Sequence, residues 1–167
     1  MKEKDDNNWA TYTKDYLYQI INVYRNKEND FFITDFEVDE NANIVFTDKL
    51  HPNFKEIYEV VWDLAPDSIL EVGCGGCYHL KNLWVLSPDC DIRGCDISQY
   101  QIDFGRWFAR LPKQIEDRLF VWDMTKGRPE MRFEFVFTQA VVMHQSEAHA
   151  ISMMKNMRDT STKYVMM

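Results

Sequence analysis

No apolar stretch in the chain approaches the ~20 residues a membrane-spanning helix requires, so a membrane role is set aside. Basic residues are in short supply, with 19 Lys and Arg against 27 Asp and Glu and a formal net charge of -8. Nucleic-acid phosphates call for a basic footprint, and unaided binding to them is not expected. Cysteine is limited to four, and no signal peptide precedes them, which fits reduced thiols in the cytoplasm. Glycine is limited to six, yet three of these fall in the four positions 73 to 76. What remains is globular: 167 residues, 46% hydrophobic and 14% aromatic, suffice for one domain with a real core.

The glycines sit in Ser68-Ile-Leu-Glu-Val-Gly-Cys-Gly-Gly-Cys-Tyr78, an apolar run with an acid, then a turn. The pattern predicts a strand that breaks into a tight turn and re-forms as a helix. Glycine there admits backbone angles closed to other residues and lets a ligand approach main-chain N–H groups. A dinucleotide fingerprint begun at Gly73 would need its third glycine at position 78, where Tyr78 stands, so the NAD reading is weakened.

Glu71-x-Gly73-x-Gly75, with a small residue, Cys77, two further on, resembles motif I of the class I methyltransferases that use S-adenosylmethionine (SAM). Cys77 stands where that family often has glycine. Asp91-Ile-Arg-Gly-Cys-Asp-Ile-Ser98 reads as a second buried strand ending in Asp96, where a Rossmann-like site accepts hydrogen bonds from ribose hydroxyls. Arg118 to Met124 reads as a third strand ending in Asp123, which resembles the family position that receives the adenine amino group. Phe133 to His144 resembles the fourth strand and its exit, where the family places substrate-facing groups. The resemblance runs from about His51 to the C-terminus. It implies a SAM site made of Glu71, Gly73, Cys74, Gly75, Asp96, Ile97, Asp123, Met124 and Thr138, with Glu71 organising the loop and reaching the amino-acid end of SAM. Asp96 and Asp123 also suit plain strand-end turns.

Cys74, Cys77, Cys90 and Cys95 spell Cys-x2-Cys-x12-Cys-x4-Cys, superficially a zinc spacing. Two of them lie in the glycine turn, where a metal would take the cofactor's space, and no metal is expected. Nothing else around Cys74-x-x-Cys77 resembles thioredoxin, so no redox role is expected either.

Beyond residue 50 the chain alternates α and β. Pro52 to Ala65 carries Phe54, Ile57, Tyr58, Val61 and Leu64 at helical spacing, and Pro66 ends it. A helix follows from His79 to Leu86. Ser98 is a candidate N-cap for another, with Phe104, Trp107, Phe108 and Leu111 on one face. A last helix, about Ser146 to Arg158, turns Ala150, Met153, Met154 and Met157 inward as core filler, and Lys163 to Met167 reads as a fifth strand. Such alternation predicts a Rossmann-like three-layer α/β sandwich with a mostly parallel sheet, its ligand at the carboxyl ends of the strands.

Residues 1–50 form an N-terminal extension outside the SAM-binding domain of residues 51–167. Thr13 caps a candidate helix bearing Leu17, Ile20, Ile21 and Tyr24, and Phe31 to Val38 with Asn43 to Thr47 predicts a hairpin. The family often uses such an extension as a lid, and Trp9 and Tyr12 are its candidates here. The family sheet ordinarily has seven strands, whereas the fifth, Tyr164-Val-Met-Met167, is the last one legible here. That apolar edge calls for cover by the hairpin, by a second copy or by a partner chain, or marks a shortened version of a longer enzyme.

The resemblance implies direct methyl transfer from SAM to an oxygen, nitrogen or carbon acceptor. The exit Thr138-Gln-Ala-Val141 lacks the Asn/Asp-Pro-Pro-aromatic tetrad that resembles amino-methylating enzymes of DNA and some proteins, which favours a small-molecule acceptor. His144 is the candidate general base and Gln139 the alternative, orienting the acceptor by hydrogen bonding; the two rank equally. A non-catalytic SAM-binding partner subunit and a NAD(P)-dependent oxidoreductase are the competing readings.

Overall fold

The computed structural model describes residues 36–40, 44–46, 50–109 and 111–167. The candidate helix after Thr13 and the lid residues Trp9 and Tyr12 lie outside the described residues. Two short strands, β1 (Phe36–Val38) and β2 (Ile44–Phe46), pair antiparallel as the expected hairpin. They form a sheet of their own and leave the main sheet's edge uncovered by them. Phe46 and Leu50 pack against the core instead, with the Lys55 ammonium 5.5 Å from the Phe46 ring centroid.

Helix α1 (Pro52–Leu64) starts with proline at its first position, where the missing N–H costs nothing. His51 caps it, its Nδ1 accepting the Asn53 N–H at 3.2 Å. It stops at Ala65, left-handed with φ 40°, just before Pro66. Then follow β3 (Ser68–Val72), α2 (Tyr78–Leu86), β4 (Asp91–Asp96), α3 (Gln99–Ala109), the short α4 (Lys113–Glu116), β5 (Leu119–Val121), β6 (Phe133–Phe137), α5 (Glu147–Thr160) and β7 (Ser161–Met166). The five later strands make one parallel sheet in the order β5-β4-β3-β6-β7. The chain therefore leaves β3 toward β4 on one side and returns to β6 on the other. That reversal opens a crevice at the carboxyl ends of β3 and β6, where open α/β sheets bind ligands.

Alternation along the strands sends Ile69, Ile92, Phe135 and Phe137 to one face and Leu70, Val72, Cys95 and Val136 to the other. The first face packs on α1, α2 and α3 through Tyr58, Val61, Leu80, Leu83 and Ile102, and the second on α5 through Met153 and Met157. The three layers expected are thus present, and those two methionines fill core.

Two readings need correction. The third strand is only three residues long and ends at Val121, so Asp123 lies in the turn beyond it. Helix α3 keeps Phe104 and Trp107 on one side, their rings 6.1 Å apart, with Trp107 48% exposed, and it buries Ile102, Gly105 and Ala109. The last strand begins at Ser161, two residues before the expected start.

Candidate functional site

The turn after β3 is built from backbone angles that glycine permits. Gly73 and Gly75 have φ of 74° and 45°, in the left-handed region. The N–H groups of Gly73 and Cys74 both donate to the carbonyl of Cys95, at 2.7 and 3.0 Å, which binds the turn to the end of β4. Gly75 N–H then donates to Asp96 Oδ2 at 3.1 Å, while Ser98 N–H donates to Oδ1 at 2.9 Å. Ser98 also starts α3 as expected, its Oγ accepting the Gln101 N–H. Cys77 closes the turn at φ 57°, a conformation that costs a non-glycine residue roughly 1–2 kcal/mol. Gly105 of α3 makes room for it, because a Cβ there would lie 2.3 Å from Cys77 Sγ and 2.8 Å from the Gly75 carbonyl.

Two acids belong to this cradle. Asp96 is buried, which raises its carboxyl above the ordinary value, while N–H groups of Ser98, Gly75 and Ile97 pull it back. Glu71 is 3% exposed, and its Oε2 is fully buried without a hydrogen-bond partner. Burial, then neighbouring Cys77 and Asp96, push Glu71 well above the usual carboxylate range.

The remaining predicted residues flank the cradle. Trp122 N–H donates to the Asp96 carbonyl at 2.9 Å, tying the end of β5 to that of β4. Asp123 Oδ1 accepts from Thr125 Oγ1 at 2.6 Å and Thr125 N–H at 3.0 Å, and Oδ2 meets Lys126 Nζ at 3.1 Å. Partial burial works against these contacts, which nevertheless hold Asp123 below its ordinary value. Ile97 is half exposed beside Asp96, whereas Met124 is buried in the second core cluster, its carbonyl held by Asn156.

Across the crevice, Thr138 is buried and donates its hydroxyl proton to the Val72 carbonyl at 2.7 Å. It locks the ends of β3 and β6 together. Ala140 follows in the left-handed region at φ 58°, and Val141 lands on the glycine turn: a Cβ on Gly73 would lie 2.4 Å from Val141 Cγ2. Gln139 and His144 bracket this segment, both part-buried, with His144 in a 3₁₀ turn spanning Val142–His144. Met143 between them is 75% exposed.

No family model and no curated protein matches the chain. Solved structures do. The methyltransferase domain of bacterial CtHen1 superposes with a TM-score of 0.58 at 18% identity, over 68% of this chain and 62% of that one. CalS10, an amino pentose methyltransferase from Micromonospora echinaspora with SAM bound, gives 0.58 at 17% identity, over 86% and 52%. DesVI of Streptomyces venezuelae gives 0.56 at 17%, over 91% and 55%. The chain has the class I methyltransferase fold. It spans about half to three-fifths of the length of these structures.

Within this methyltransferase fold, one supporting group was not legible in the sequence. His79, next to the turn, sits 2.9 Å by Nδ1 from the Tyr58 hydroxyl, which accepts from Asn82 Nδ2 at 2.9 Å. Phe54 and Phe137 meet its ring edge-on. Burial lowers His79 to about 4, so the ring is neutral at pH 7. The network pins the start of α2, and with it the turn, to α1. A histidine beside the glycines was the available signal, but its partner lies 21 residues away on another helix.

All four thiols are buried and free. Cys77 Sγ lies 3.9 Å from Cys74 Sγ and 3.5 Å from the Gly75 carbonyl. Its hydrogen bond to Cys77, then burial, holds Cys74 well above an ordinary thiol, and burial does the same for Cys95. Enclosed thiols of this kind are packing groups rather than nucleophiles. Among the described residues, no group of three or more His, Cys, Asp or Glu side chains is placed to hold a metal ion.

Proposed function

We propose that the chain is a SAM-dependent methyltransferase domain acting on a small-molecule acceptor. The observation that carries this reading is the cradle in which left-handed Gly73 and Gly75 shape the turn, the Gly73 N–H donating to the Cys95 carbonyl and the Gly75 N–H to Asp96, while a buried Glu71 oxygen is left without a partner. These residues fit the cofactor. A Cβ on Gly75 would meet nothing nearer than 3.9 Å, so that side of the turn is open to a ligand. Asp96 is assigned to the ribose hydroxyls and Glu71 to the ammonium end, with Gly73, Cys74 and Gly75 lining the turn. Ile97 offers apolar surface to the nucleoside, and Met124 stiffens the base of the neighbouring turn. Asp123 is assigned to the adenine amino group, since a carboxylate has accepting lone pairs beyond those that Thr125 and Lys126 use. Thr138 fixes the floor of the crevice.

When bound, SAM supplies an electrophilic methyl group that passes directly to a nucleophilic oxygen, nitrogen or carbon. The protein's part is to hold donor and acceptor in line and exclude water. His144 takes a proton from an acceptor that must lose one, or Gln139 orients an acceptor that need not. Among the described residues, no helix is long and apolar enough to cross a membrane. The buried, reduced thiols suit the cytoplasm. The hairpin forms its own sheet, and the outer edge of β7 is proposed as a pairing surface for a second copy, a partner chain or further strands of a longer chain.

The test is calorimetric titration with S-adenosylhomocysteine, beside NAD and beside Asp96→Ala. Micromolar binding of the homocysteine product that the variant loses supports the reading. Preference for NAD, or no binding by folded protein, rejects it. A non-catalytic SAM-binding subunit is the second reading. Product binding without methyl transfer across a panel of small acceptors would establish it.

A further inference from the structure

Two acids share the cradle, and the fold treats them differently. Asp96 receives N–H groups at both oxygens, so its charge has donors to rest on. Glu71 Oε2 receives none, although the residue is 97% buried. Cys74 and Cys77 face it from the turn, and Asp96 and Cys95 from β4. On its other side β6 brings Phe137 into register with Glu71, followed by Thr138, and neither carries charge. Among the described residues, no cation appears in the groups acting on Glu71. A carboxylate with one oxygen buried and without a donor, and with no cation beside it among the described residues, takes up a proton rather than staying ionised.

We infer that Glu71 is a neutral carboxylic acid in the ligand-free chain and gives up its proton when a ligand's ammonium group docks beside it. Ligand binding is thereby coupled to proton release. The inference rests on the cofactor reading above, which supplies the ammonium. The Glu71 O–H bond breaks, its electron pair stays on the carboxylate, the proton goes to the buffer, and an ammonium N–H takes its place. The site thus selects a cationic amino-acid group by being unable to hold its own negative charge alone. One proton lost means that affinity rises with pH, by about tenfold per unit, until Glu71 ionises in the free chain.

The test is titration of the folded chain with S-adenosylhomocysteine at pH 7 in phosphate and in Tris, whose ionisation enthalpies differ. We expect heats that differ by the equivalent of about one proton released per ligand. 5′-Methylthioadenosine, which carries the nucleoside without the ammonium, binds with equal heats in the two buffers. Glu71→Gln, which mimics the neutral acid, keeps its melting temperature and loses the buffer dependence. Equal heats for S-adenosylhomocysteine with the unaltered chain overturn the inference and leave the cofactor reading standing. So does a proton released by methylthioadenosine, or release that persists in Glu71→Gln. No binding in either buffer overturns both together. Should Glu71→Gln fail to fold, the two ligands compared on the unaltered chain decide the matter.

Discussion

The two walls of the crevice are made in different ways. On the β3–β4 side, the glycine turn is fastened at each step: Gly73 and Cys74 to the Cys95 carbonyl, Gly75 to Asp96, Asp96 to Ser98, and α2 to α1 through His79 and Tyr58. On the β6 side, Thr138 hydrogen-bonds the Val72 carbonyl, and Val141 and Val142 pack on the sheet through apolar contact. Beyond Thr138 come a left-handed Ala140, a short 3₁₀ turn and an exposed Met143. The rigid wall suits a ligand that stays the same through evolution of a fold, and the sparse wall suits one that differs from protein to protein. On the function proposed above, a preorganised grip on the cofactor would coexist with an acceptor surface set by a few side chains.

Joining the walls too tightly should have the largest effect. Gly73→Ala adds a Cβ 2.4 Å from Val141 Cγ2 at φ 74°. We expect a loss of about 2–4 kcal/mol in denaturant unfolding, together with loss of S-adenosylhomocysteine binding. Adding Val141→Ala should restore part of the stability, since it removes the collision and leaves the backbone strain. No restoration would mean that the walls do not touch.

Acid should loosen the rigid wall from beneath. His79 is lowered from 6.5 to about 4 by burial, so the unfolded chain binds a proton that the folded chain refuses. Its contribution is complete above pH 6.5 and is lost as pH falls toward 4, amounting to about 3 kcal/mol. The raised carboxyls of Glu71 and Asp96 act in the opposite sense, gaining stability as pH falls. The measurement is therefore the difference in unfolding free energy between the unaltered chain and His79→Phe at pH 7 and pH 4.5, which should shrink in acid.

Removing the cross-link within the cradle comes next. Asp96→Ala deprives Gly75 and Ser98 of their acceptor, and S-adenosylhomocysteine affinity should fall about 10- to 100-fold by calorimetry. The smallest effect on binding is expected from the sparse wall, where His144→Ala or Gln139→Ala should leave affinity within about twofold. Whichever residue serves the acceptor reveals itself in the transfer rate, by about a hundredfold or more for a general base.

The same division explains what could be read from the sequence. Ser68–Val72 and its glycines, the acid at the end of Asp91–Asp96, and the helix from Pro52 follow from local pattern, and the fold bears them out. Asp123 was misplaced because Thr125 and Lys126 draw it into a turn, a choice made by side chains rather than by hydrophobic period. Apolar spacing places Phe104 and Trp107 on one side of α3, where their rings lie 6.1 Å apart, but it does not say which side the helix buries. The helix instead approaches the turn at Gly105, where Cys77 Sγ leaves no space for a larger group. The contacts of Val141 with Gly73 and of His79 with Tyr58 join distant parts of the chain and have no local signature.

The fit of Cys77 against Gly105 also constrains how this sequence can drift. A thiol at the close of the turn fills the volume that the helix gives up by having no side chain opposite. The two positions share one small volume, so enlargement of either requires contraction of the other. Gly105→Ala alone should be purged, whereas the same change after Cys77→Gly, which itself relieves the left-handed backbone, is opposed only by the Gly75 carbonyl 2.8 Å away and costs less. Substitutions at 77 and 105 should therefore accumulate as an ordered pair, turn first and helix second.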